Sequence, residues 1–154
     1  MPAVGTDVDV HVLTVAARPT AVVRRSTTWA EFPTLWRVLL DQVYAFLKTS
    51  DVRQTGHNVM LYKTVAPDVE VGVEVEAPFA ADGPVVSSAL PAGETAMIVH
   101  RGPYGGLGSA HKAIREWCAA NGRTVAGPRW EIYGDWHDDP AQLETEVYYL
   151  LERT

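Results

Sequence analysis

The feature that most constrains this sequence is an internal repeat, in which one order of elements occurs twice. The segment TAVVRR beginning at residue 20 matches TAMIVHR beginning at residue 95. Glu70-Val71 matches Glu146-Val147 at a similar offset of about 75 residues. Each half reads β-β-α-β-β, and neither half is long enough to bury both faces of its sheet by itself. The repeat therefore predicts one domain made of two halves, residues 7–77 and 85–152, related by a pseudo-two-fold axis.

Apolar periodicity assigns the elements within these halves. Residues 69–77, VEVGVEVEA, alternate valine with glutamate or glycine, which is typical of a half-buried strand. Apolar residues recur at helical spacing over about 29–48, and again over about 104–120. We therefore predict an α+β fold. An antiparallel sheet carries the two helices on one face, and a ligand cleft lies on the other face where the halves meet.

Composition excludes several classes of protein. The 154 residues are 47% hydrophobic and 21% charged, as expected for one ordinary globular domain. No apolar run reaches the ~20 residues that span a membrane, and MPAVGTDVDV is not a signal peptide. We therefore expect a cytoplasmic protein without membrane association. Cys118 is the single cysteine and the histidines lack ligand spacing, so we expect no disulfide and no metal site.

Charge narrows the partners further. The formal net charge is −6, and no basic cluster resembles a nucleic-acid footprint, so we expect no direct nucleic-acid binding. The glycine-rich run RGPYGGLG lacks the lysine of a phosphate loop, and we expect no cofactor. Five Trp and six Tyr residues outnumber three Phe residues. Trp and Tyr combine a large apolar face with a polar group, which suits ligand pockets.

Three segments resemble one family of ligand-binding domains. The similarity is to the GyrI-like small-molecule-binding domain, and it extends over LPAGETAMIVHRGPYGGLGSAHKAIREWCAANG (90–122), GPRWEIYGDWHDDP (127–140) and ETEVYYLL (144–151). This is the effector-binding domain of multidrug-sensing AraC- and MerR-type regulators. The resemblance implies two SHS2-like modules with a ligand cleft between them. It also implies a stand-alone form, because a first strand near residue 7 leaves no room for a DNA-binding domain.

The resemblance places an acidic residue at the floor of the cleft, and Glu146 is the strongest candidate. A carboxylate in the middle of a strand is uncommon unless it has a role. Aromatic walls around a carboxylate would attract a flat, lipophilic cation by stacking, cation–π attraction and charge. The predicted ligand-binding residues are Glu146, Glu131, Tyr133, Tyr148, Tyr62, Met60, Trp36 and Trp136. The alternative for each tyrosine is ordinary cross-strand packing. The alternative for Glu146 is solvent exposure or a salt bridge to an arginine such as Arg129.

The sequence leaves three functions open. The first is binding or sequestration of amphipathic aromatic, often cationic, small molecules. The second, implied by stand-alone relatives, is hydrolysis of cyclopropane-bearing DNA-alkylating compounds, with Glu146 or Glu131 as the catalytic carboxylate. The third is a protein-partner role of the kind that inhibits DNA gyrase, which rests on analogy alone. An exposed edge strand such as residues 7–15 would permit a homodimer.

Overall fold

The computed structural model describes residues 9–81 and 83–153. These residues form an α+β fold with eight strands and two α-helices, as predicted. The elements are β1 (His11–Val15), β2 (Arg18–Ser26), α1 (Phe32–Thr49), β3 (Gln54–Tyr62), β4 (Asp68–Val75), β5 (Val85–Leu90), β6 (Gly93–Arg101), α2 (Leu107–Ala120), β7 (Val125–Tyr133) and β8 (Glu144–Leu151). All strand pairs given below are antiparallel.

The described residues divide into two compact units. The α1 unit comprises residues 16–92 and has the strand order β3-β4-β2-β5. The α2 unit comprises residues 9–15 and 93–153 and has the order β7-β8-β6-β1. Corresponding strands therefore occupy corresponding places in the strand orders of the two units.

These units do not coincide with the sequence halves 7–77 and 85–152. The edge strand β1 pairs with β6 of the later half, and β5 pairs with β2 of the earlier half. Each unit thus completes its sheet with one strand from the other half, an exchange that local periodicity cannot reveal. Residues 7 and 8 of the predicted first strand lie outside the described residues. The pseudo-two-fold axis and the cleft between the halves stay predictions.

Both helices begin later than the sequence pattern suggests. The carbonyl of Thr28 accepts a hydrogen bond from the backbone N–H of Phe32, and a turn over these residues precedes α1. The pyrrolidine ring of Pro33 occupies the first turn, where no backbone donor is required. A short 3₁₀ turn over Tyr104–Gly106 likewise precedes α2.

Each helix covers one face of the sheet in its own unit. In the α1 unit, the four valines of β4 share a face with Tyr62, whose ring packs against Phe32 of α1 at 5.6 Å. In the α2 unit, one core joins both strands and helix. Its buried members are Ala96, Ile98, Leu107, Ala110, Ile114, Cys118, Val147, Tyr149 and Leu151. Side chains that alternate with these strand residues lie on the opposite face, which we call the helix-free face.

Candidate functional site

Glu146 lies on the helix-free face of the α2 unit, near the middle of β8. It is opposite Val99 on β6 and opposite Ile132 on β7. Its core-facing neighbour Val147 is fully buried against α2, so the alternation of the strand directs Glu146 to the other face. The side chain of Glu146 is partly exposed to solvent. A carboxylate here is therefore set between two aliphatic neighbours and remains accessible.

Among the described residues, one hydrogen bond holds the Glu146 carboxylate in place. The hydroxyl of Tyr148 donates to its Oε1 atom at 2.7 Å. Within residues 9–81 and 83–153, no lysine, arginine or histidine forms an ion pair with Glu146. The negative charge is therefore oriented by a neutral donor and is not balanced by a cation.

An aromatic stack supports this arrangement from the neighbouring strand. The ring of Trp130 on β7 lies parallel to the ring of Tyr148, with centroids 5.4 Å apart and an interplanar angle of 11°. Only 2% of Trp130 and 4% of Tyr148 are exposed. We expected Tyr148 to form a wall of the ligand site, and the structure gives it a different contact. Its ring is buried and its hydroxyl orients Glu146.

Glu70 occupies the corresponding place in the α1 unit and has very different surroundings. It lies opposite Arg24 on β2 and Leu61 on β3, and it is 1% exposed. Its Oε2 atom accepts from Arg24 Nε at 2.9 Å and lies 3.4 Å from Lys63 Nζ. Its Oε1 atom accepts from the hydroxyl of Ser88. The carboxylate of Glu70 is thus paired with two cations, whereas that of Glu146 faces aliphatic side chains.

Glu131 and Tyr133 lie on the other face of the α2 unit. Glu131 is opposite Val147 and Tyr133 is opposite Thr145, which places both under α2. Glu131 is 4% exposed and accepts a hydrogen bond from the hydroxyl of Tyr133. Our expectation that Glu131 and Tyr133 share one site with Glu146 is not met by this register, because neighbouring residues of a strand point to opposite faces.

His111 of α2 completes the buried polar cluster around Glu131. Its Nε2 atom lies 2.7 Å from Glu131 Oε2, and its Nδ1 atom lies 2.7 Å from the hydroxyl of Tyr149. Arg115 donates to the same hydroxyl at 3.4 Å. Burial raises the pKa of Tyr149, while the hydrogen bond and charge of Arg115 act in the opposite direction. Sequence reasoning missed this cluster, although the four-residue spacing of His111 and Arg115 on one helix face was a signal for it.

Met60 and Tyr62 also lie beneath a helix. They are opposite Val71 and Val69 of β4, on the face that α1 covers. The ring of Tyr62 packs against those of Trp29 and Phe32. Their burial at 7% and 6% exposure agrees with ordinary packing, the alternative we left open.

The two remaining candidates differ sharply in exposure. Trp36 is partly buried on α1, and the guanidinium carbon of Arg37 lies 5.5 Å from its ring centroid. Trp136 is 70% exposed in the loop between β7 and β8. Its indole N–H donates to Asp138 at 3.3 Å. Trp136 therefore belongs to the connection between the strands that carry Trp130 and Glu146.

The described residues also bear on metal sites and membrane spans. No three His, Cys, Asp or Glu side chains come together there as metal ligands do. No helix in the same residues is long and apolar enough to cross a membrane.

Comparisons with known proteins agree on one family and one fold. The model of the GyrI-like small-molecule-binding domain matches residues 64–152. The crystal structure of the EcmrR C-terminal domain is similar with a TM-score of 0.79 and 19% identity, over 95% of this chain and 98% of that one. The structure of SAV2435 bound to tetraphenylphosphonium is similar with a TM-score of 0.72 and 10% identity, over 94% of each chain.

A further similar structure is a hydrolase encoded by lin2189 from Listeria innocua. Its TM-score is 0.60 and its identity 9%, over 96% of this chain and 93% of that chain. No curated protein sequence matches the chain. At these identities, the structural likenesses establish a shared fold and nothing finer.

Proposed function

Because the chain belongs to the GyrI-like small-molecule-binding domain family, we propose that it binds lipophilic aromatic cations and that Glu146 supplies the attracting charge. The observation that carries this proposal is the unbalanced carboxylate on the helix-free face of the α2 unit. Glu146 is partly exposed, is oriented by Tyr148, and has no basic partner among the described residues.

The aliphatic neighbours of Glu146 favour a ligand that is both positively charged and lipophilic. Val99 and Ile132 flank the carboxylate on either side, so part of its surroundings is apolar. At 4 Å, two unit charges attract by about 1 kcal/mol in bulk water and by about 4 kcal/mol at the effective dielectric near a protein surface. A small, strongly hydrated cation loses much of this gain to desolvation. A delocalised aromatic cation loses less and also buries apolar surface.

The carboxylate of Glu70 differs from that of Glu146 within the same protein. Arg24 and Lys63 already neutralise its carboxylate, and its side chain is almost fully buried. An added cation would have to displace a hydrogen-bonded arginine to reach it. We therefore expect one cation site on the α2 unit at Glu146, and no equivalent site at Glu70.

The test is a titration with tetraphenylphosphonium, followed by calorimetry. The wild-type protein is expected to bind it, and Glu146→Gln is expected to weaken binding at least about tenfold, a loss of about 1.4 kcal/mol. Glu144→Gln is the matched control, since Glu144 lies on the same strand, is exposed, and pairs with Arg101. This control is expected to change affinity less than about twofold. Tetraphenylborate, which has the same shape and the opposite charge, should not bind.

Two outcomes contradict the proposal. Absence of any tetraphenylphosphonium binding by the wild-type protein would remove the ligand class. Unchanged affinity in Glu146→Gln, together with a large loss in Glu131→Gln, would move the site to the face beneath α2. Circular dichroism of each variant separates a lost site from a lost fold.

A second candidate function, hydrolysis, rests on the contact between Glu131 and His111. Both imidazole nitrogens are already bonded, Nε2 to Glu131 and Nδ1 to the hydroxyl of Tyr149, so a proton from water would reach the imidazole by way of that hydroxyl. The side chain of His111 is 15% exposed, which leaves a narrow approach. Turnover of a cyclopropane-bearing alkylating compound, lost in His111→Ala and Glu131→Gln but retained in Glu144→Gln, would support this function. Absence of turnover with the wild-type protein would exclude it for that compound.

A further inference from the structure

The outer edge of β1 is open among the described residues of the α2 unit. β1 ends the strand order of this unit, and within the described residues it pairs with β6 alone. Val12 and Leu13, which point to opposite faces of the strand, are 40% and 41% exposed. Both faces of this edge therefore carry apolar surface that the one neighbouring strand leaves half uncovered.

Proteins usually protect such edges, and β1 has none of the common protections. Its sequence, HVLTV, contains no proline, lysine or carboxylate, and its register with β6 runs without a bulge. The edge strand β5 is different, because it lies between Pro84 and Pro91. The segment before β5 also folds back beside it, where the N–H of Phe79 donates to the hydroxyl of Ser87. β1 is thus the edge that is ready to accept another strand.

The sequence of β1 is complementary to itself in the antiparallel direction. Two copies related by a two-fold axis perpendicular to the sheet pair side chains that lie on the same face. The register that pairs all five residues of β1 places Leu13 opposite Leu13 of the second copy. It also places Val12 opposite Thr14, and His11 opposite Val15. No two like charges meet in this register, and three of its five pairs join an aliphatic residue to a polar or second aliphatic one without a clash of charge.

The helices leave room for this pairing. α2 packs on β6 and β8, on the inner side of β1. In a joined sheet, the β6 strands of the two copies are separated by three strand spacings, which is about 14 Å. Packed helices approach to about 8–10 Å, so the two α2 helices do not collide. Val12 lies on the same face as α2, because it is opposite the core residue Ala96, and its side chain occupies the gap.

We propose that β1 is a homodimer interface, through which two copies join their α2-unit sheets into one continuous antiparallel sheet about an axis at Leu13. The proposal is independent of ligand binding at Glu146, and it gives a defined surface to the homodimer that the sequence permits. Only five residues of each copy pair, so the interface is smaller than the standard size of ~1,600 Å². The dimer is therefore reversible, with a dissociation constant in the micromolar range.

Sedimentation equilibrium of the full chain, across the micromolar range of concentration, tests the interface. The wild-type protein is expected to approach the mass of a dimer as its concentration rises. Leu13→Lys places two ammonium groups opposite each other on the axis and is expected to raise the dissociation constant at least about tenfold. Ala89→Lys is the matched control, because Ala89 is an exposed residue of the other edge strand, β5, and the dissociation constant should stay within about twofold. A wild-type protein that stays monomeric, or equal weakening by both substitutions, would overturn the proposal.

Cysteine substitutions test the register. Leu13→Cys brings two thiols onto directly opposite residues, whose Cα atoms are about 4.5–5.5 Å apart in an antiparallel pair, and a disulfide bridges that distance. Thr14→Cys leaves the two Cα atoms about 8 Å apart, which is too far. Oxidation by glutathione disulfide, followed by a non-reducing gel, is expected to cross-link Leu13→Cys at least about tenfold more than Thr14→Cys or the control Ala89→Cys. The native Cys118 is 4% exposed and does not contribute.

Two results of the cross-linking experiment contradict the proposal. Preferential cross-linking of Thr14→Cys would overturn the register with its axis at Leu13. Equal cross-linking of all three variants would overturn the interface itself, because Ala89 lies on a different strand.

Discussion

Glu131 and Glu146 lie on neighbouring strands of the α2 unit and point to opposite faces of its sheet. The register fixes this relationship, since Glu146 is opposite Ile132 and Glu131 is opposite Val147. Glu131 is buried and hydrogen-bonded to His111 and Tyr133, whereas Glu146 is partly exposed and bonded to Tyr148. Glu131 therefore ties α2 to the sheet, whereas Glu146 has no basic partner among the described residues.

Val99→Arg should weaken cation binding by giving Glu146 a basic partner. Val99 is opposite Glu146 on β6, as Arg24 is opposite Glu70 on β2. The new guanidinium is expected to pair with Glu146 and weaken tetraphenylphosphonium binding at least about tenfold, measured by calorimetry. Val38→Arg adds the same charge at an exposed position of α1 and should leave affinity within about twofold. Equal loss in both variants would indicate an effect of net charge alone.

Much of the α2 unit could be predicted from the sequence, but the register between its strands could not. Alternation correctly placed Val147 on one face of β8, and Glu146 and Tyr148 on the other. It also separated Glu131 from Ile132 on β7. What alternation lacks is the register between strands, because a shift of one residue exchanges the faces. Grouping Glu131 with Glu146 required that register, and the pairing of Ile132 with Glu146 decides against it.

The partners across the sheet were harder still to predict. His111 reaches Glu131 from α2, which is 20 residues earlier in the chain, and no local pattern links a helix position to a strand position. The exchange of β1 and β5 between the halves is likewise a long-range pairing. The sequence alone leaves open whether the side chain of Trp130 is packed or exposed. In the structure its ring stacks on the ring of Tyr148.

His111→Ala should destabilise the protein by about 1–3 kcal/mol. The change leaves the carboxylate of Glu131 with fewer donors and the hydroxyl of Tyr149 without its imidazole partner, and both residues are 4% exposed. Urea unfolding monitored by circular dichroism measures the difference. Lys112→Ala, at the adjacent exposed position, is expected to change the free energy of unfolding by less than about 0.5 kcal/mol. A similar effect of both substitutions would mean that helix propensity, and not the polar cluster, determines stability.

Stability should also fall as the pH rises above 10, partly because of Tyr149. Burial raises the pKa of this phenol above the ordinary value of 10.0, although Arg115 opposes the shift. Between the two pKa values the unfolded chain loses the proton while the folded chain keeps it, so the contribution of Tyr149 is complete below pH 10 and is lost above it. Urea midpoints between pH 8 and 11 should show this decline. The decline should be shallower in Tyr149→Phe, and an identical slope would exclude Tyr149 as its source.

Gly72→Ala should unfold the α1 unit or weaken it severely. Gly72 is opposite Val22 in the pair of β2 and β4, and a Cβ atom there would lie 1.8 Å from the carbonyl oxygen of Ala21. Backbone cannot move aside as a flexible side chain does, so the two strands would have to separate. We expect a loss of at least about 3 kcal/mol in urea unfolding. Gly105→Ala is the matched control, since nothing lies within 4 Å of its added methyl group, and a comparable loss there would contradict the steric explanation.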